Sequence, residues 1–170
     1  MSTTSKGMAG RIAIFVTALA AAEPASAATD GCAAAIAAAW AKIGEVPAYR
    51  QTVVMAEPKM RMDMVVIGNT FYSTNAGKTD RIELKPGRRK AIVDRFAGAT
   101  PTLACAQVGE ETVDGRPTLV FDFTRAPVPG LETQPMRQKV WIGKADGLVR
   151  RLVGNRVTVD VAYEDVVAPR

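Results

Sequence analysis

The sequence predicts an α+β fold: one N-terminal helix followed by about eight or nine short antiparallel strands, in a curved sheet that wraps the helix. Three observations carry this expectation. An Ala-rich stretch ending at Gly44 has helical periodicity, most of the chain after Pro47 alternates with period two, and turn residues separate the alternating runs at short intervals. A sheet of that many strands curls rather than lying flat, so one face closes on the helix.

The chain has 170 residues, a formal net charge of +5 and no histidine. Lys6 and Arg11 precede an uncharged, apolar-rich run at 12–22 that is too short to span a bilayer. Glu23 and Pro24 break it, and Ala25-Ser26-Ala27 supplies a small-x-small cleavage site, so residues 1–27 read as a signal peptide. Cys32 stands well beyond the apolar run and follows Thr29-Asp30-Gly31, which argues against a lipid anchor. No later segment offers the roughly 18 uninterrupted apolar residues of a membrane span. The expectation is an exported, soluble product, periplasmic or secreted, with residues 28–170 forming a single domain. Its two cysteines, Cys32 and Cys105, are expected to pair in an oxidising compartment, closing 73 residues of chain.

Asp30 is a candidate cap for a helix over 32–43, where Ile36, Trp40 and Ile43 fall at i, i+4 and i+7 and form its bulky apolar stripe. Strands follow at 49–55, 60–67 and 70–74, the last two joined by Gly68-Asn69, with a short fourth at 80–84. Residues 85–90 read as a basic turn around Pro86-Gly87, and 91–97 as one helical segment. A strand at 103–108 carries Cys105. Asp114-Gly115 then turns the chain into 117–124, where Leu119, Phe121 and Phe123 alternate with Val120, Asp122 and Thr124. Three prolines and a glycine make 126–135 a loop at the rim of the sheet. Strands at 137–142 and 148–153 flank the turn Lys144-Ala145-Asp146-Gly147, and a last strand runs over 157–163.

Two of these stretches carry a family resemblance. Cys105-Ala-Gln-Val-Gly-Glu-Glu-Thr-Val-Asp-Gly-Arg-Pro-Thr-Leu-Val-Phe-Asp-Phe, followed by Lys139-Val-Trp-Ile-Gly-Lys-Ala-Asp-Gly-Leu-Val-Arg-Arg, resembles the LolA/LolB-like superfamily of periplasmic lipoprotein-sorting carriers. Trp141 and Gly147 stand at its matching positions. The resemblance implies an incomplete β-barrel around an apolar cavity that shields acyl chains or another apolar ligand. No position here matches the family's lid-latching arginine, which favours a relative over a lipoprotein shuttle proper.

The residues themselves point the same way. In Met60-Arg-Met-Asp-Met64, strand geometry puts Met60, Met62 and Met64 on one face with Val66, and Arg61 and Asp63 on the other. Flexible, polarisable thioethers suit a surface that accepts variable apolar ligands, and they also fill ordinary cores. A soft-metal reading would need sulfurs about 7 Å apart along the strand to bend together. The expected cavity is lined by Ile36, Trp40, Ile43, Met60, Met62, Met64, Phe121 and Trp141, and its ligand is a lipid-like molecule or a lipidated protein. The alternative is an envelope protein-interaction or stress-sensing module with a packed core.

Catalysis, cofactors and resident metals are not expected. Histidine, the commonest general base and zinc ligand, is absent, and so are a Cys-x-x-Cys pair and a phosphate-binding Gly-rich loop. The carboxylate pairs Glu110-Glu111 and Asp160 with Glu164 read as solvated surface. Lys and Arg are scattered and aromatics few, which excludes a nucleic-acid footprint. Lys85, Arg88, Arg89 and Lys90 form a basic patch that suits an anionic membrane surface or a solvated loop. Arg150-Arg151 reads as charge protecting a sheet edge.

Overall fold

The computed structural model describes residues 25–98, 101–130 and 132–169. The predicted leader therefore lies outside the described residues up to position 24. Helix α1 spans Ala25–Ile43. It starts earlier than the sequence suggested, so Asp30 sits inside it rather than capping it. Ala25, Ala27 and Ala28 are strong helix formers, and the penalties at Thr29, Asp30 and Gly31 are about 1 kcal/mol or less each. The helix ends as expected: Gly44 N–H bonds the Ala41 carbonyl, Val46 N–H bonds that of Lys42, and Pro47 follows.

Nine strands follow: β1 (Ala48–Met55), β2 (Met60–Ile67), β3 (Thr70–Asn75), β4 (Lys78–Glu83), β5 (Thr102–Val113), β6 (Arg116–Arg125), β7 (Met136–Gly143), β8 (Val149–Val153) and β9 (Val157–Ala162). A second helix, α2 (Arg88–Gly98), separates β4 from β5. All pairs are antiparallel and form one sheet in the order β4-β3-β2-β1-β9-β8-β7-β6-β5. The α+β expectation holds: the sheet is curved and unclosed, with β4 and β5 as its two edges. The turns follow their residue chemistry. Asp114 and Gly115 take φ of 48° and 75°, and Gly147 takes 68°, as tight reversals require.

Strand β5 runs well past the predicted 103–108 and includes Glu110 and Glu111. Two register shifts against β6 let it continue, one between Gln107 and Gly109, where φ reaches 157°. The basic segment is also corrected, because its turn is short and the chain enters α2 at Arg88. Strand β8 is central, so Arg150 and Arg151 protect no edge. A register shift against β7 turns Arg150 into a buried position, 4% exposed, where it pairs with Asp146 and lies 4.8 Å from the Tyr163 ring centroid. Gly143 permits this, since a Cβ there would collide with the Asp146 carboxylate. Arg151 instead bonds Asp160 across the strand pair at 2.6 Å.

Helix α1 packs on β5, β7 and β8 and on α2. Beneath it lies the main core, where Ile36, Ala39 and Ile43 meet Phe121, Phe123, Val140, Ile142 and Val149. The expected bridge is present: Cys32 of α1 is bonded to Cys105 of β5, with Cα atoms 5.8 Å apart.

The loop after β6 is tied down by one carboxylate. Glu132 accepts both Arg125 guanidinium nitrogens, at 2.5 and 2.6 Å, and the Val128 N–H at 2.9 Å. These bonds, Arg125 first, hold its pKa at about 2 against an ordinary 4.5. A depressed carboxylate stabilises fully above its unfolded value, so this anchor is complete above about pH 4.5 and is lost as pH falls toward 2. Glu132→Gln should speed amide exchange at Val128 and Gly130 about tenfold at pH 7, the worth of one charge-assisted hydrogen bond. Exchange in the native protein should rise toward the variant's as pH drops below 4. A pH-independent difference between the two proteins would show that the carboxylate charge is not what holds the loop.

Candidate functional site

Strand alternation and pairing register settle which side chains share the helix-bearing, inner face. Val66 and Phe71 belong to the core beneath α1, so Met60, Met62 and Met64 share their side of the sheet. Across the ladders, Met60 faces Met55, Met62 faces Val53, and these face Val157 and Val159 of β9. The result is a mostly apolar lane along the inner face of β2, β1 and β9, beside the packed core; it is interrupted at Gln51, which faces Met64, and bordered by Asn75, whose amide donates to the Met60 sulfur. All of the lane's apolar residues are half-buried. Val159 packs against the core cluster, whereas the three methionines and Val53 lie beyond it. Arg61 and Asp63 emerge on the outer face, where Asp63 accepts from Thr52 and Arg61. These bonds, Thr52 first, lower the Asp63 pKa.

The eight expected cavity residues thus fall into three groups. Ile36, Ile43 and Phe121 are buried and Trp40 half-buried in the core beneath α1, filling the space the sequence reading assigned to a cavity. Met60, Met62 and Met64 form the lane. Trp141 is on the other face altogether. It packs with Val113 and Val120, and its indole N–H donates to Glu111 at 2.8 Å. This corrects its place in the cavity: Val140-Trp141-Ile142 is apolar throughout, and only the pairing with β6 fixes which of the three look outward.

Two concavities flank this framework, and neither is lined by those eight residues. One is an open cleft of about 610 Å³ at the start of β7, bounded by Asp122, Arg137, Gln138, Lys139, Gly154 and Asn155 among others. The second, about 360 Å³, lies at the opposite end of β9 between Arg116, Arg150 and Glu164.

The charged groups are mostly committed. Glu110 pairs with Lys144 at 2.8 Å while Glu111 holds Trp141, so the adjacent carboxylates do not act together. Asp160 pairs with Arg151, and Glu164 with Arg116 at 2.8 Å. Arg137 grips Asp122 through two bonds, at 2.9 and 2.8 Å, which lower the aspartate pKa and raise the arginine's. Burial raises the phenol pKa of both Tyr49 and Tyr163. Among the described residues no three His, Cys, Asp or Glu side chains are grouped to hold a metal ion, and no helix is long and apolar enough to cross a membrane.

Of the basic patch, Arg88 and Lys85 are exposed, but Arg89 is 6% exposed and turned inward. It donates to the carbonyls of Ile43 at 2.8 Å, Val46 at 2.6 Å and Gly68 at 3.1 Å. It cannot contact a membrane surface, which corrects that expectation for this residue.

No family model and no curated protein matches the sequence. Solved structures do. Lipoprotein LppX of Mycobacterium tuberculosis superposes with a TM-score of 0.54 at 11% identity, over 82% of this chain and 99% of that one. LprF of Mycobacterium bovis gives 0.51 at 13% identity, over 84% and 98%. A LolA superfamily protein from Nitrosomonas europaea matches at 0.29 and 8% identity, over 77% and 91%. At such identities LppX and LprF speak for the fold alone, and the chain shares their fold, a curved, unclosed antiparallel sheet carrying an N-terminal helix.

Proposed function

We propose that this protein is an exported, periplasmic carrier that holds a lipid-like or otherwise apolar ligand, free or attached to a protein, against the inner face of its half-barrel. The observation that carries the reading is the methionine-rich lane. A row of large apolar side chains is half-buried on the inner face of an unclosed sheet, next to a core it does not join. The lane replaces the enclosed cavity beneath α1 as the ligand's place. LppX, which shares the fold, is itself a lipoprotein, and the likeness supports a place in the envelope without naming a ligand. No catalytic residue is assigned.

Uptake of a fluorescent fatty acid, with native mass spectrometry of the protein as purified, tests the proposal. Met62→Asp should weaken binding of a single-chain probe about 10- to 100-fold, since one fully buried large apolar side chain is worth about 1.5–3 kcal/mol. Its effect on the folded state should be small, because the site is half-open. A protein that is always empty and takes up no apolar probe would sink the carrier reading. That result would favour the interaction module with a packed core, for which the close packing of Ile36, Ile43 and Phe121 beneath α1 is the supporting observation.

A further inference from the structure

The inner face gathers more sulfur than the Met60–Met64 motif alone supplies. Met55, at the end of β1, stands directly opposite Met60, at the start of β2, and both side chains are on the inner face. Directly opposed residues have Cβ atoms about 4.5–5.5 Å apart, and diagonal neighbours, here Met55 and Met62, about 7–8 Å, still within reach of long side chains. The step of about 7 Å between Met60 and Met62 along β2 is thus bridged by Met55 from the neighbouring strand. Unbranched, flexible thioether side chains can swing toward a common point.

These sulfurs are not taken up by core packing. Met55, Met60 and Met62 are half-buried and lie outside the core cluster beneath α1. The Met60 sulfur accepts from the Asn75 amide nitrogen at 3.9 Å, a weak bond to a weak acceptor that is readily given up. Met55 and Met60 also sit at the ends of their strands, and the connection at 56–59 between them is exposed throughout, so this end of the lane opens to solvent.

Harder donors near them are committed elsewhere. The chain has no histidine, and Cys32 and Cys105 are bonded to each other. Asp63, between Met62 and Met64 in sequence, is on the outer face and accepts from Thr52 and Arg61. Asp80 shares the inner face but stands two strands away on β4, opposite Ser73 and 3.6 Å from Lys78. Glu57 of the connecting loop lies 4.0 Å from Arg156. Thioether sulfur alone, with no thiolate, imidazole or carboxylate, suits Cu(I), whereas Zn(II) and Cu(II) call for charged or nitrogen ligands.

We propose that Met55, Met60 and Met62 form a binding site for a soft monovalent metal ion, Cu(I), at the open end of the lane. Their three sulfurs converge on the ion from two adjacent strands, and the Asn75 amide releases Met60 when the ion binds. Met64, one step further along β2 and opposite Gln51, stays outside the site. The proposal does not rest on the carrier reading, and one kind of substitution tells them apart. Methionine to leucine keeps the apolar surface that a lipid chain needs and removes the sulfur that only a metal needs.

The full chain is titrated with Ag(I), a redox-stable stand-in for Cu(I), and with Cu(I) itself, held reduced by ascorbate and competed against a chromophoric Cu(I) chelator. A single ion should bind, and the methyl signals of Met55, Met60 and Met62 should shift together in the carbon-13 NMR spectrum while that of Met136 stays in place. Zn(II) should move none of them. Met55→Leu and Met60→Leu should each weaken Ag(I) binding about 100-fold or more, since even residues that only support a metal ligand are worth about 10–100-fold. Met136→Leu should leave the affinity unchanged. Such volume-conserving changes at half-buried positions are well tolerated, and circular dichroism checks that each variant is folded. If neither Ag(I) nor Cu(I) binds, if Zn(II) binds as well as they do, or if the affinity survives both changes at 55 and 60, the soft-metal site is wrong. Uptake of the fluorescent fatty acid, which the leucine variants should retain, then decides the carrier reading by itself.

Discussion

Removing the Cys32–Cys105 bridge should lower the stability of the fold by about 4 kcal/mol. The bond closes 73 residues, and the chain-entropy model assigns a loop of that size about this value, through the freedom regained by the unfolded chain. The position of the bridge adds a local consequence. It joins α1 to β5, an edge strand whose residues are mostly exposed and which is held on one side only, by β6. A Cys32→Ala, Cys105→Ala double variant should show a lower urea midpoint and a steeper denaturant dependence, because its unfolded state is more open. Amide exchange in β5 should rise before exchange in β6 or β7. An unchanged midpoint would mean that α1 and β5 are held by packing alone, with Cys32 acting as no more than a small buried side chain.

Both that bridge and most of the sheet were legible in the sequence, for reasons that differ. The cysteines had no other partner, and an oxidising compartment pairs them. The strands were readable where polar residues mark the phase. Arg61 and Asp63 interrupt the methionines and so fix their common face, and Leu119, Phe121 and Phe123 alternate with Val120, Asp122 and Thr124, where the last two are polar. Where that marking fails, the face cannot be read. Val140, Trp141 and Ile142 are all apolar, and all three are buried because both faces of central β7 are covered there, so Trp141 was placed on the wrong side. Arg150 was misread because a register shift, invisible to periodicity, turns it inward.

Arg88 and Arg89 put the same lesson in energetic form. In sequence they are equivalent members of a basic cluster, and entry into α2 separates them. Arg89 lies four residues before Val93, on the same side of the helix, and Val93 packs at Gly44 beside the end of α1. The Arg89 guanidinium therefore meets the C-terminus of α1, where unpaired carbonyls and the negative end of the helix dipole await a cation. Its three bonds fasten the last residue of α1, the connection into β1 and the turn between β2 and β3. Its charge centre lies 5.2 Å from the Tyr49 ring centroid, a cation–π distance. Against this stands the cost of burying a cation with no carboxylate beside it and with Nε unpaired. Arg89→Met removes that cost but leaves three carbonyls short of a donor, at about 1–3 kcal/mol each before water or relaxation repairs some of them. The expected net loss is about 3 kcal/mol, a fall in Tm of about 10 °C for a chain of this size. Arg89→Lys should recover less than half, since one ammonium cannot reach three carbonyls as a planar fork does. Arg88→Met, on the exposed side, should change stability by no more than about 0.5 kcal/mol. Thermal and urea unfolding of the three variants decide the matter: equal effects at 88 and 89 would mean that Arg89 is a surface charge and that α1 ends without it.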